Sequence, residues 1–237
     1  MYHDHHPTSI QERFAKHPGH SYLRDWVYGG LDGAVTTFAL IAGVIGASLS
    51  HKVILLLGLT NIVADGFSMA AASFLATKAE RDEYKFYESI EHQHIRDVPH
   101  GEQNEVRQLF VNKGFTGETL ENIVNHVTAD KQLWVRTMLM EEYGLPHAIR
   151  SPMMAAGCTF LAFFICGAIP LLPFVLLLPH SFLFASIVTA AVFFAIGSAK
   201  SKWSVIAWWK SGALTLLVGI TAALLGYGIG ALFQLHT

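Results

Sequence analysis

The run LLLGLTNIVADGFSMAAASFLATKAERDEYKFYESIE, residues 55–91, decides the fold. It has no proline and only Gly58 and Gly66 as breakers, so nothing in it interrupts a helix. Its first twenty or so residues are apolar enough to cross a bilayer, which takes about 20 residues at about 1.5 Å each. From Lys78 onward almost every second residue is charged. The spacing predicts one helix that spans a membrane and continues into water. Asn61, Asp65 and Met69 lie four apart and share one face of it. Two of the three are polar groups at hydrocarbon depth, where polar side chains are expensive and mark function.

Working outward, the remaining sequence repeats the apolar character. The chain has 237 residues, is 52% hydrophobic and 14% charged, and has a mean hydropathy of +0.38, which predicts an integral membrane protein. Residues 26–49 form a first span, with Asp32 as its one ionisable residue and glycines at positions 29, 30, 33, 43 and 46. Such small-residue spacing suits close helix approach. His51 and Lys52 are all that separate it from the second span, residues 53–76, so the pair is a tight hairpin. Three further apolar runs, 153–172, 182–198 and 205–233, bring the total to five spans, with Pro170, Pro173 and Pro179 marking the turn between the first two of them.

Residues 1–25 are polar and His-rich, and Pro7, Pro18 and Gly19 predict a mobile tail; His3, His5 and His6 could touch a metal, but no spacing fixes them on one. No apolar stretch follows a basic start, so a signal peptide is not expected. Cys158 and Cys166 sit inside an apolar run and are read as small hydrophobes. Orientation follows the lysines and arginines. Arg13, Lys16 and Arg24 precede span one, nine basic residues lie between spans two and three, and Lys200, Lys202 and Lys210 lie between or at the start of the last two spans. The other side carries Lys52 alone. The N-terminus and the block after span two are therefore expected in the cytosol. With no organelle signal and a compact chain, the expected membrane is a prokaryotic inner membrane rather than a vacuolar one.

Residues 77–150 hold 13 of the 18 acidic residues: Glu80, Asp82, Glu83, Glu88, Glu91, Asp97, Glu102, Glu105, Glu118, Glu121, Asp130, Glu141 and Glu142. Their pattern predicts three helices: the extension of span two to Asp97, a second over 102–112 after Pro99 and Gly101, and a third over 118–142. Leu120, Ile123, Val124 and Val127 give the third an apolar face. Glu88 and Glu91, Glu91 and His94, and Glu102 and Glu105 are each three apart, so each pair shares a helical face. Glu-x-x-His with carboxylates from neighbouring helices is a ligand arrangement of di-metal bundles. Met138 and Met140 adjoin Glu141 and Glu142. Oxygen, nitrogen and thioether donors together suit Fe²⁺ or Mn²⁺, with Zn²⁺, Co²⁺ and Ni²⁺ in the same range. Mg²⁺ or Ca²⁺ would leave the His and Met unused.

No Gly-x-x-x-x-Gly-Lys, Gly-x-Ser-x-Gly or His-Glu-x-x-His motif is present, so neither nucleotide-driven pumping nor hydrolysis is expected, and the chain is not read as an enzyme. Nothing in the charge pattern points to nucleic acid. Carboxylates that take up either a metal or protons could couple one flux to the other.

The run from Asp32 to Gly43, the segment Gly66-Phe67-Ser68-Met69-Ala70, the Lys78-Ala79-Glu80 that follows and Glu142-Tyr143-Gly144-Leu145 resemble the vacuolar iron transporter family, in order and over nearly the whole chain. The resemblance implies an all-α membrane protein of five transmembrane helices, with a cytosolic three-helix metal-binding domain inserted between helices 2 and 3. The corresponding division is a tail over 1–25, helices 1–2 over 26–76, the domain over 77–150 and helices 3–5 over 151–237. It further implies a homodimer in the lipid bilayer, moving Fe²⁺ and often Mn²⁺ out of the cytosol in exchange for protons. By position, Asp32 corresponds to the family's span-one carboxylate and Met69 to its span-two methionine. Glu91, Glu102 and Glu105 correspond to carboxylates of the metal-binding domain, and Met138 and Glu142 to ligands near the end of its last helix. Glu80, Glu88, His94 and Glu141 complete the expected metal set, and Asp32, Asn61, Asp65 and Met69 the expected path. Three positions depart from the pattern. Asn61 stands where plant members carry a glutamate, with Asp65 one turn later as its expected substitute. His94 and Leu139 each stand where those members carry a different ligand. A membrane-anchored di-metal oxidase or metal store, and a metal-gated channel or sensor, are the competing readings.

Overall fold

The computed structural model describes residues 6–15, 21–146 and 150–236, and all the regular structure among them is helical. In order these are α1 (Pro7–Ala15), α2 (Leu23–Gly46), α3 (His51–Asp97), α4 (Pro99–Asn112), α5 (Gly117–Ala129), α6 (Lys131–Glu141) and α7 (Pro152–Ala168). A 3₁₀ turn (Ile169–Leu171) leads into α8 (Leu172–Val175), then come α9 (Ser181–Lys200), a second 3₁₀ turn (Ser201–Trp203) and α10 (Trp208–His236). Five helical segments are long and apolar enough to cross a membrane: α2, the first part of α3, α7 through α8, α9 with its 3₁₀ turn, and α10. The chain is a multi-pass membrane protein. The 47 residues of α3 would extend about 70 Å, more than twice the roughly 30 Å hydrocarbon core, so only part of it lies in the bilayer.

Two compact units divide the chain, one of Ser21–Leu75 with Pro152–Thr237, the other of Met1–His20 with Ala76–Ser151. In the membrane unit, α2 is the central helix, and glycine is what lets its neighbours close in. A Cβ on Gly33 would collide with the Phe163 carbonyl of α7, and one on Gly29 with that of Thr159. Toward its other end, Gly43 and Gly46 of α2 meet Gly226, Tyr227 and Gly230 of α10 backbone to backbone. Between these contacts Ala34, Phe38, Ile41 and Val44 form a core with Ile54 and Ile62 of α3, Leu171, Phe174, and Ala185 and Phe193 of α9.

In the acidic unit, Pro99 ends α3 by disfavouring helix at Val98, and itself starts α4 where its missing N–H is no loss. Val106, Leu120, Val124, Val127, Trp134 and Met138 pack into one core from α4, α5 and α6. Arg107 of α4 grips Glu121 of α5 with two donors, at 3.0 and 2.8 Å.

Three sequence expectations are corrected. The third helix expected over 118–142 is two, because Asp130 adopts extended backbone (φ −108, ψ 110) and its carboxylate accepts from the amides of Gln132 and Leu133 at 2.9 and 3.3 Å, an N-cap. Pro170 and Pro173 do not mark the turn before α9. They occupy first-turn positions of the 3₁₀ segment and of α8, and the connection comes later, at residues 176–180. The N-terminal segment is helical from Pro7 to Ala15, where Pro7 takes the first position; His3 and His5 lie outside the described residues.

Candidate metal-binding and conduction sites

Each site begins with a helical face. In the acidic unit, α3 carries Glu91 and His94 one turn apart, and Pro99 then reverses the chain so that Glu102, in the first turn of α4, comes back to them. One ligand atom from each of Glu91, His94 and Glu102 lies within 4.8 Å of the others. His94 Nδ1 is 3.2 Å from Glu102 Oε1 and 3.9 Å from Glu91 Oε1. The two carboxylates are buried, with side chains 1% and 4% exposed, whereas the imidazole is half exposed. Tyr143 Oη donates to Glu91 Oε1 at 3.1 Å. The remaining oxygens, Glu91 Oε2 and Glu102 Oε2, are buried and accept no N–H or hydroxyl hydrogen bond among the described residues, and the two carboxyls lie close enough to share a proton. A buried carboxylate oxygen without a donor is costly, and a shared proton or a bound cation relieves it.

The electrostatics agree. Burial first, then the charges of Glu91 and Glu105, push the Glu102 carboxyl up to about 7. Burial likewise raises Glu91, against the opposing hydrogen bond from Tyr143. Glu142 is raised by burial and then by the charges of Glu91 and Glu105. The phenol of Tyr143 is pushed above its ordinary range by burial and by its bond to Glu91. Four carboxyls thus sit in one another's field with His94 as the partial counter-charge, an arrangement that stores repulsion until a cation enters.

The other expected ligands fall into distinct places. Glu105, Met138 and Glu142 line a second pocket of about 220 Å³ together with Gln108, Leu109 and Asn112. Glu88 lies elsewhere on α3, in a polar pocket of about 380 Å³ with Tyr84, His92, Gln132, Val135 and Arg136. Glu141 pairs with Lys113 rather than joining its neighbour Glu142. Adjacent helical residues point about 100° apart, so the two cannot serve one site. Glu80 is exposed on α3 and belongs to neither pocket.

In the membrane unit, Asp32 of α2 is half-buried and Asp65 of α3 faces outward from the single chain, close enough for the two carboxylates to repel each other. Met69 is half-buried one turn beyond. Asn61 gains an explanation: its Nδ2 donates to Thr36 Oγ1 at 3.2 Å and Thr37 Oγ1 at 3.3 Å, tying α3 to α2 by its side chain. Thr36 in turn donates to the Asp32 carbonyl at 2.9 Å. Sequence reasoning missed five polar participants. Asp25, counted with the tail, is in the first turn of α2, 7% exposed, and accepts from Ser73 Oγ of α3 at 3.5 Å. Ser73 continues the Asn61, Asp65, Met69 spacing by one more turn, which was the available signal. Thr36 and Thr37 look like ordinary span residues until the neighbouring helix is placed. Tyr143 follows the last helix, where periodicity says nothing about direction.

Comparison with known proteins matches the same extent. The model of the VIT family matches residues 23–231. The vacuolar iron transporter of Toxoplasma gondii is 31% identical over 226 residues, covering 90% of this chain and 75% of that protein. Vacuolar iron transporter 1 of Arabidopsis thaliana is 30% identical over 217 residues, covering 90% of this chain and 86% of its own length. Vacuolar iron transporter 2 of Oryza sativa subsp. japonica is 29% identical over 215 residues, with 90% and 87% covered. With the match running from the first span into the last and enclosing both carboxylate groups, the chain belongs to the VIT family.

Proposed function

We propose that this protein is an iron transporter that collects Fe²⁺ from the cytosol and moves it outward across the membrane in exchange for protons, with Mn²⁺ as a second cargo. One observation carries the reading: buried Glu91 and Glu102 converge on His94 with two carboxylate oxygens that accept no N–H or hydroxyl hydrogen bond among the described residues, in a chain related over 90% of its length to proteins named vacuolar iron transporters. Carboxylate oxygens and an imidazole nitrogen, with the Met138 thioether lining the adjoining pocket, are donors for first-row divalent ions. Zn²⁺, Co²⁺ and Ni²⁺ fit the same donors and are the competitors to test.

In this reading the acidic unit collects the ion and the membrane unit conducts it past Asp32, Asp65 and Met69. Asp32 and Asp65 repel each other when both are ionised, so a cation or a proton must accompany them. Cation entry then expels protons and protonation expels the cation, which is the exchange. Asn61 cannot take a proton, so Asp65 carries the second span's share of that exchange. The protein works as a homodimer. The support is the outward face of α3, where Val63, Asp65 and Phe67 are exposed in the single chain and a second copy would enclose the carboxylate. The distribution of lysine and arginine supports a cytosolic N-terminus and acidic unit in this reading.

The test is Fe²⁺ flux into proteoliposomes under an imposed pH difference, kept anaerobic. Asp32→Ala and Asp65→Ala are each expected to abolish flux. Undiminished flux in both variants refutes the path, and flux indifferent to collapse of the pH gradient refutes the coupling.

A further inference from the structure

Tyr143 belongs to none of the ligand sets above, yet the chain goes to some length to aim it. After α6 ends, Glu142 keeps helical backbone (φ −90, ψ −51), Gly144 takes a φ of +66, and the Leu145 amide donates back to the Leu139 carbonyl at 3.0 Å. Only glycine adopts that φ at no steric cost, so the turn at Gly144 is specified by the sequence. It leaves Tyr143 with its hydroxyl on Glu91 Oε1 at 3.1 Å and its ring against Tyr87, centroids 4.4 Å apart at 32°. Tyr87 and Glu91 are four residues apart on α3, one above the other on the same face. The ring packed on Tyr87 therefore sets where the hydroxyl sits, and the hydroxyl sets where one oxygen of Glu91 sits.

A glutamate has three side-chain torsions, and a metal ligand must stay within a few tenths of an ångström of its place. The other side chain within hydrogen-bonding reach of Glu91 is Glu102, which is itself a member of the cluster, while His94 Nδ1 is 3.9 Å away; Tyr143 is the partner that comes from outside the cluster. We propose that Tyr143 is the positioning residue of the Glu91–His94–Glu102 cation site, its hydroxyl fixing Glu91 in the ligating rotamer while Tyr87 fixes the hydroxyl. This rests on the reading that the cluster binds a divalent cation. It adds that the site's affinity depends on a phenol that does not touch the ion. Hydrogen-bond partners that orient a metal's ligands are worth about ten- to a hundredfold in affinity.

Tyr143→Phe removes the hydroxyl and keeps the ring on Tyr87. The full chain in detergent, titrated with Co²⁺ as an optical probe, is expected to bind about ten- to a hundredfold more weakly than wild type, with an altered visible absorption band. Its unfolding temperature in chelator is expected to fall only by what the loss of one hydrogen bond to Glu91 brings, with the fold retained. Tyr87→Leu keeps the hydroxyl but frees the ring, and is expected to give a smaller loss of affinity with the same spectral change; it serves as the second arm if the first variant does not fold. Wild-type affinity and spectrum in both variants overturn the positioning role while leaving the cation site intact. A wild-type protein that binds no Co²⁺ overturns the cation site itself, and the positioning role with it.

Discussion

Replacing Glu102 by Gln is predicted to stabilise the chelator-treated acidic unit at neutral and higher pH while removing its response to metal. The Glu102 carboxyl is pushed from an ordinary 4.5 up to about 7, first by burial and then by Glu91 and Glu105. A folded-state value raised above the unfolded one means that the fold favours the protonated form. That stability is fully present below about 4.5 and is lost as pH rises through about 7. The gap of about 2.5 pH units corresponds to a ceiling of about 3 to 4 kcal/mol at about 1.4 kcal/mol per unit, and the side chain is 4% exposed, so solvent screens little of it. Glu91 and Glu142 shift in the same direction and add to the slope. The glutamine has no such titration. Hydrogen exchange of the α4–α6 amides, read at pH 5 and pH 8 in chelator, should show wild type opening more readily at pH 8 and Glu102→Gln with a shallower slope, the remainder being that of Glu91 and Glu142. Fe²⁺ at about a hundred times its dissociation constant should then restore roughly 2.7 kcal/mol to wild type at pH 8 and much less to the variant. A variant whose protection falls with pH as steeply as wild type's refutes the assignment of the repulsion to Glu102.

Asp130→Ala removes two capping bonds at the start of α6 and should cost about 1 kcal/mol, seen as faster exchange of the α5–α6 amides; no change would mean the break between the helices is held by packing alone. Gly230→Val forces a side chain into the Gly43 backbone of α2, whereas Gly228 has open space around it, so thermal unfolding in detergent should drop for Gly230→Val and not for Gly228→Ala. Glu141→Gln breaks a partly exposed pair with Lys113 and should leave Co²⁺ affinity unchanged, while Glu142→Gln should weaken it; the opposite order would show that the helix end turns the other way.

The spans were legible because their physics is one-dimensional. A bilayer demands a length of apolar sequence, and the charged continuation after Lys78 needs nothing but the absence of proline to stay helical. The close approach of α2 to α7 and α10 was foreshadowed by the glycines at 29, 33, 43 and 46, although the partners were not. What failed was local competition. Val127 and Trp134 keep helical spacing on either side of Asp130, and periodicity cannot see that a carboxylate there caps a new helix more favourably than it continues the old one. Pro170 and Pro173 were read as turn residues on composition, but both fall where a helical segment starts and an N–H is not needed.

At the site, the difference between what could and could not be read is a difference in contact range. Glu91 and His94 are one turn apart on a single helix, so spacing alone places them together. Glu102 joins them across a proline break and Tyr143 across 52 residues, and no periodicity reports such a meeting. Asn61 makes the same point in the membrane. As a lone amide in a span it is an anomaly. Its donors reach threonines 24 and 25 residues away on α2, and the anomaly becomes a pin between two helices. Membrane helices gain little from burying apolar surface against one another, so such a pin can fix the register of α3 on α2. It holds in place the face on which Asp65 approaches Asp32, without adding a titratable group of its own. The charge carried along that face is then set by the two aspartates, and Asn61→Asp should both add a third proton site there and loosen the pin, because a carboxylate has no N–H to give to Thr36 and Thr37.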